Sequence, residues 1–152
     1  MSGRSTHHTT FVIERLYPVP PSRVFAAWAD ADAKGRWFGC HDEWQSSGHE
    51  LDFRVGGLER LRTKAPDGIV HGYDAVYHDI VKDERIVYAY AMDLDERRIS
   101  VSLATVELVP AVRGTRLTFT EQAAFLDEYD EPEDRERGTR ALLENLATEV
   151  QR

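Results

Sequence analysis

Polar and apolar residues alternate through Leu51-Asp52-Phe53-Arg54-Val55, and the pattern then breaks on Gly56-Gly57 before Leu58-Glu59-Arg60. Successive side chains of a strand point to opposite faces, so Leu51, Phe53 and Val55 are expected on one side. A glycine pair tolerates the positive φ angles of a two-residue primed turn, which would pair Val55 with Leu58, Phe53 with Arg60 and Leu51 with Arg62. Cross-strand partners share a face, so this register sends Arg60 and Arg62 toward the apolar side, where a wet cavity would have to receive them. A longer loop or a bulge would leave both arginines solvated instead, because register decides the face.

The rest of the chain divides into one early helical patch, a long run of strands and a final helix. Thr9 to Tyr17 is β-branched and aromatic and stops at Pro18, which suits a first strand. Pro20, Pro21 and Ser22 start a helix with Val24, Phe25 and Trp28 on one side, and a second short helix follows from Asp32 to Phe38. Pro66-Asp67-Gly68 marks a turn, after which Ile69 to Val81, Ile86 to Met92, Arg98 to Val109 and Thr115 to Gln122 read as strands. Strand 69–81 leaves two faces open: Val70, Gly72, Asp74, Val76 and His78, or Ile69, His71, Tyr73, Ala75 and Tyr77. From Asp130-Glu131-Pro132 onward, Leu142, Leu143, Leu146, Ala147 and Val150 recur at helical spacing, an amphipathic helix laid on a sheet. Gly138 and Thr139 continue that stripe one turn earlier without bulk, which means either close backbone approach or room for something else.

The chain of 152 residues suits one domain over residues 9–152, with residues 1–8 as a disordered tail. One cysteine, Cys40, excludes an internal disulfide and fits a reducing compartment, so a cytoplasmic location is expected. A formal charge of -8 disfavours nucleic acid and anionic membrane as partners, which select basic faces. The longest strongly apolar run, Ile86 to Met92, is far short of the roughly 20 residues that span a bilayer.

Several motifs then act together. Phe53-Arg54-Val55-Gly56-Gly57, Asp83-Glu84-Arg85-Ile86-Val87-Tyr88, Thr120-Glu121-Gln122 with Phe125-Leu126-Asp127, and the spacing to Gly138 resemble the SRPBCC superfamily. Within it, the chain is similar to the Bet v 1-like or START-like group related to the activator of Hsp90 ATPase. The resemblance implies an α+β helix-grip fold, in which a curved antiparallel sheet of about seven strands, ordered β-α-α-β6-α, wraps a long C-terminal helix. It also implies a pocket between that helix and the sheet. Lys82 departs from the proline often found there, and Thr139 stands where many of the group carry tryptophan, which leaves the helix face less filled.

Fold alone does not fix an activity. Leu117, Phe119 and Glu121 alternate onto one face of the last strand, so a carboxylate points inward beside the expected Arg60, and an inward pair or water-bridged contact follows. That polar point either orients a ligand or is a structural ion pair. The candidate ligand-binding residues are Arg60, Glu121, Phe53, Tyr73, Tyr88, Tyr90, Trp28, Trp37, Phe119 and Leu142. Cys40 beside His41 lacks an orienting third group, and His41, Asp42, Glu43 and His49 lack a recognised ligand spacing, so neither a nucleophile nor a metal site is expected. Without a phosphate-cradling glycine loop or a nucleophile elbow, no cofactor is expected either. The leading function is binding of a small apolar or aromatic molecule. A cyclase or dehydratase acting on a polyketide-like or aromatic substrate, with Glu121 as acid or base, is the alternative. The family resemblance adds a weaker one, contact with an Hsp90-type chaperone, and strand 9–17 leaves a homodimer open.

Overall fold

The chain follows β1 (Thr6–Tyr17), α1 (Pro21–Ala29), α2 (Ala31–Trp37), β2 (Gln45–Leu51), β3 (Leu58–Lys64), β4 (Val70–Val81), β5 (Arg85–Leu94), β6 (Arg97–Ala111), β7 (Gly114–Leu126) and α3 (Pro132–Val150). This computed structural model describes residues 3–39 and 43–152. The readings placed on Cys40, His41 and Asp42 therefore lie outside the described residues. Seven strands form one antiparallel sheet in the order β1-β7-β6-β5-β4-β3-β2, and the sheet curves around α3 in a helix-grip architecture. No described helix is long and apolar enough to cross a membrane.

Alternation sets the inner face throughout. β5 buries Ile86, Tyr88 and Tyr90, and β7 buries Leu117, Phe119, Glu121, Ala123 and Phe125. On β4 the choice of face is settled by Tyr73, Ala75 and Tyr77, which are buried while Val76 and His78 are exposed. β1 begins at Thr6 rather than Thr9, because His7 and His8, expected in a tail, pair with Phe125 and Ala124 of a β7 that runs on to Leu126.

The glycine hairpin is a correction. β2 pairs with β3 through Leu51 and Glu59, Glu50 and Arg60, and His49 and Leu61. Residues 52–57 thus form a loop instead of strand and turn. Leu51 was expected opposite Arg62 and lies opposite Glu59, an odd displacement of three positions, and an odd shift exchanges the faces. Glu59, Leu61 and Thr63 are buried in consequence, while Arg60 turns to solvent with a side chain 61% exposed, its Nε 3.9 Å from Asp74. Arg62 also sits on the outer face and pairs with Asp74 at 2.9 Å.

The glycines serve a different contact. Gly56 N–H donates to the Tyr77 carbonyl at 2.8 Å, and Tyr77 N–H donates to the Gly57 carbonyl at 3.0 Å, so the loop backbone continues the ladder along β4. Any Cβ at Gly57 would run into the Asp52 carbonyl oxygen, and Gly56 holds φ 83°.

Three polar links hold the helices to one another and to the sheet. Arg36 of α2 grips Glu149 of α3 through two nitrogens at 2.8–3.1 Å, and the Tyr17 hydroxyl donates to the Leu143 carbonyl at 3.0 Å. The third is enclosed: Lys34 Nζ donates to Glu59 Oε1 at 2.6 Å and to the Tyr77 hydroxyl at 3.1 Å, and neither charged side chain is exposed. Tyr77 donates to the same Glu59 oxygen at 2.6 Å, and His49 meets Oε2 at 2.8 Å. Burial alone would raise the Glu59 carboxyl, but the Lys34 ammonium and the hydrogen bonds from His49, Lys34 and Tyr77 outweigh it and hold the group at about 2. The Lys34 ammonium also lies 4.5 Å from the centre of the Phe38 ring and 5.3 Å from that of Trp28.

Candidate functional site

Between the first turns of α3 and the inner face of the sheet lies a cavity of about 600 Å³. Its existence follows from small side chains on facing elements. On β6 the inward residues are Ser100, Ser102 and Ala104, and on α3 Gly138 and Thr139 replace the leucines found further along the stripe. A Cβ at Gly138 would meet nothing within 4 Å, so the glycine marks open space rather than close backbone approach.

The walls are aromatic. Trp28 and Trp37 close one end, with ring centres 4.8 Å apart, and Phe38 stands 4.9 Å from Tyr73. Tyr73, Tyr88 and Tyr90 form a run of tilted rings, 5.0 Å between Tyr73 and Tyr90 and 6.1 Å between Tyr88 and Tyr90. Phe119 and Leu142 also line the space, as does Trp44, whose ring lies tilted against His71 with centres 4.5 Å apart.

One polar cluster breaks this apolar surface. Glu121 is wholly buried and accepts from the Tyr90 hydroxyl at 2.8 Å on both oxygens and from Ser102 at 3.0 Å. Tyr90 and Ser102 are direct cross-strand partners, and Glu121 sits diagonally from Ser102 on the same face. The cation beside this carboxylate is Arg135, from the first turns of α3. Its Nη1 lies 3.5 Å from Glu121 Oε2 and donates to the Tyr90 hydroxyl at 3.2 Å, while Nη2 donates to Ser100 at 2.7 Å and to Asp130 at 3.0 Å. The Thr139 hydroxyl donates to the Arg135 carbonyl at 2.9 Å. Burial raises the Glu121 carboxyl above the ordinary range, against the opposing pull of Arg135, Tyr90 and Ser102. Burial also pushes the Tyr73, Tyr88 and Tyr90 phenols up, so each stays a protonated donor at neutral pH.

Eight of the expected residues therefore meet around one space: Trp28, Trp37, Tyr73, Tyr88, Tyr90 and Phe119, together with Glu121 and Leu142. Two do not. Arg60 is on the outer face, so the expected contact with Glu121 is replaced by the one from Arg135. Phe53 lies in the 52–57 loop and packs against Phe25 at 5.6 Å and Tyr77 at 5.0 Å, outside the cavity wall. Arg135 was missed although the helix pattern pointed to it: stepping back three residues from Gly138 along the same stripe reaches Arg135.

Residues 18–151 match the family described as activator of Hsp90 ATPase homolog 1-like protein. Among solved structures, an uncharacterised protein from Rhizobium leguminosarum is 49% identical over 97% of each chain, with a TM-score of 0.94. The Mll3558 protein from Rhizobium loti is 48% identical over 95% of this chain and 99% of its own, with a TM-score of 0.88. A protein from Aeromonas hydrophila described as AHSA1-like, at 20% identity over 94% of this chain and 92% of its own, shares the fold with a TM-score of 0.71. Among curated proteins no match is found.

Proposed function

We propose, for a chain that belongs to the activator of Hsp90 ATPase homolog 1-like family, that it binds a small apolar or aromatic molecule between α3 and the sheet. The observation that carries this reading is the cavity itself. Its volume of about 600 Å³ falls in the range of small-molecule sites, and its walls join many rings to one buried polar cluster. Area on Trp28, Tyr88 and Phe119 supplies the affinity, and the end of the cavity formed by Glu121 and Arg135 limits which orientation a polar substituent can take.

The state of Glu121 favours binding over proton transfer. Its two oxygens already receive Tyr90, Ser102 and Arg135, which leaves little of the carboxylate open to a substrate proton.

Native mass spectrometry of protein purified without denaturation tests the reading, together with a thermal-shift measurement against the neutral probe N-phenyl-1-naphthylamine. A small-molecule adduct that leaves on unfolding, or a melting temperature raised by the probe, is expected. Absence of both would overturn the proposal.

A further inference from the structure

The cavity's own chemistry restricts the class of molecule it accepts. Arg135 is the cation among the described lining residues, and it is already committed: Nη1 to Tyr90 and Glu121, Nη2 to Ser100 and Asp130. Glu121, fully buried, faces that guanidinium, while Asp134 at the edge of the same space is half exposed and already paired with Arg137. An entering anion would lose its hydration and would have to pull Arg135 from its carboxylate partners to replace it. Lys34 offers no relief, because it is fully enclosed and bound to Glu59.

The wall also carries donors in want of an acceptor. The Tyr73 hydroxyl and the Trp28 indole N–H are both buried without a hydrogen-bond partner of good geometry, although the Tyr88 phenol lies close to Tyr73. Buried polar groups in folded proteins almost always find partners, so two orphans on the wall of one cavity point to a partner that arrives with the ligand. The indole N–H can only donate and the Tyr73 hydroxyl carries a proton to give, so an acceptor on the ligand is the one group that answers both.

We propose that this cavity selects a neutral aromatic molecule carrying a carbonyl-type acceptor, and that it rejects the corresponding carboxylate. The inference rests on the binding function proposed above. Tyr73 Oη is the donor that recognises the acceptor, and the buried Glu121, which holds Arg135, supplies the discrimination against anions.

Three matched compounds test it at pH 8, well above the ordinary range of an imidazole. These are 2-acetonaphthone, naphthalene and 2-naphthoate, each competed against bound N-phenyl-1-naphthylamine. The ketone should compete about tenfold better than the carboxylate and several-fold better than naphthalene, the range that one net hydrogen bond provides. Tyr73→Phe removes an unsatisfied hydroxyl, so its melting temperature should hold or rise while the ketone falls to within about twofold of naphthalene. Naphthoate competing as well as the ketone would overturn the inference, and so would a ketone preference that survives Tyr73→Phe. If the fluorescent probe binds but none of the three compounds displaces it, this inference alone fails. If the probe does not bind and no small-molecule adduct is found either, the binding function fails with it.

Discussion

Lys34→Met keeps the length of the side chain and deletes the charge from an ion pair in which neither partner is exposed. Glu59 would then stay enclosed with only the Tyr77 hydroxyl and His49 as partners. The loss can be sized in two ways. Lys34, His49 and Tyr77 together hold the Glu59 carboxyl at about 2 against an ordinary 4.5, with the ammonium the largest opponent of burial, and at roughly 1.4 kcal/mol per unit the whole shift is about 3 kcal/mol. Breaking one side of a buried pair costs about 3–5 kcal/mol in general. Both point to a variant that is destabilised by about 3 kcal/mol or more at pH 7, measured by guanidinium unfolding followed through tryptophan fluorescence. The sign of the pH dependence gives a second check. In the native protein the folded carboxyl lies below its unfolded value, so its contribution is complete above pH 4.5 and disappears as pH falls toward 2. In the variant burial acts unopposed by the ammonium and lifts Glu59 above its unfolded value, so the folded form binds the extra proton and gains stability as pH falls from 7 toward 5. The gap between the two proteins should therefore narrow on acidification. Adding Glu59→Gln to Lys34→Met should recover most of the loss, because the charge goes and the acceptor for Tyr77 stays. A loss under about 1 kcal/mol, or a gap of equal size at pH 5 and pH 7, would refute the reasoning.

Arg60→Ala should change stability by no more than about 0.5 kcal/mol and leave probe affinity unaltered, because the side chain is 61% exposed on the outer face; a marked loss of affinity would return Arg60 to the cavity. Gly138→Ala should stabilise α3 by up to about 1 kcal/mol in thermal unfolding, since the added methyl meets nothing within 4 Å; destabilisation would mean that the helix face is already closely packed. Arg135→Leu and Glu121→Gln, made singly and together, should show a coupling of about 0.5–3 kcal/mol in urea unfolding, and strict additivity would mean that the two groups do not interact.

Most of the strand pattern was legible because it depends on a period of two that local sequence carries. Tyr88 and Tyr90 share a face for that reason, and Glu121 follows Leu117 and Phe119 inward. The hairpin at Gly56-Gly57 was misread because its glycines answer to a distant strand. Their function is the backbone approach to Tyr77 of β4, and no rule confined to neighbours in sequence reports that contact. β2 was hidden for a related reason. Gln45–Leu51 is an edge strand with a bulge between Ser46 and Gly48, so its residues lack the alternation of a half-buried strand. The anion at the centre of the site was found by alternation, whereas its cation was sought on the wrong strand because one odd register shift reversed a whole face. The enclosed pair of Lys34 and Glu59 joins a helix to a strand across 25 positions, and charged residues at each place read locally as solvated.

The location of a bound molecule decides the account. An isotope-filtered NMR experiment with 2-acetonaphthone and the labelled protein reports which side chains lie against the ligand. Contacts from the rings to Tyr73, Tyr90 and Leu142 are the predicted result, with none to Val101 or Leu103, which are 44% and 39% exposed on the outer face of the sheet. Contacts confined to Val101 and Leu103 would place binding on the outside of the sheet and contradict the claim that the hollow under α3 is the site.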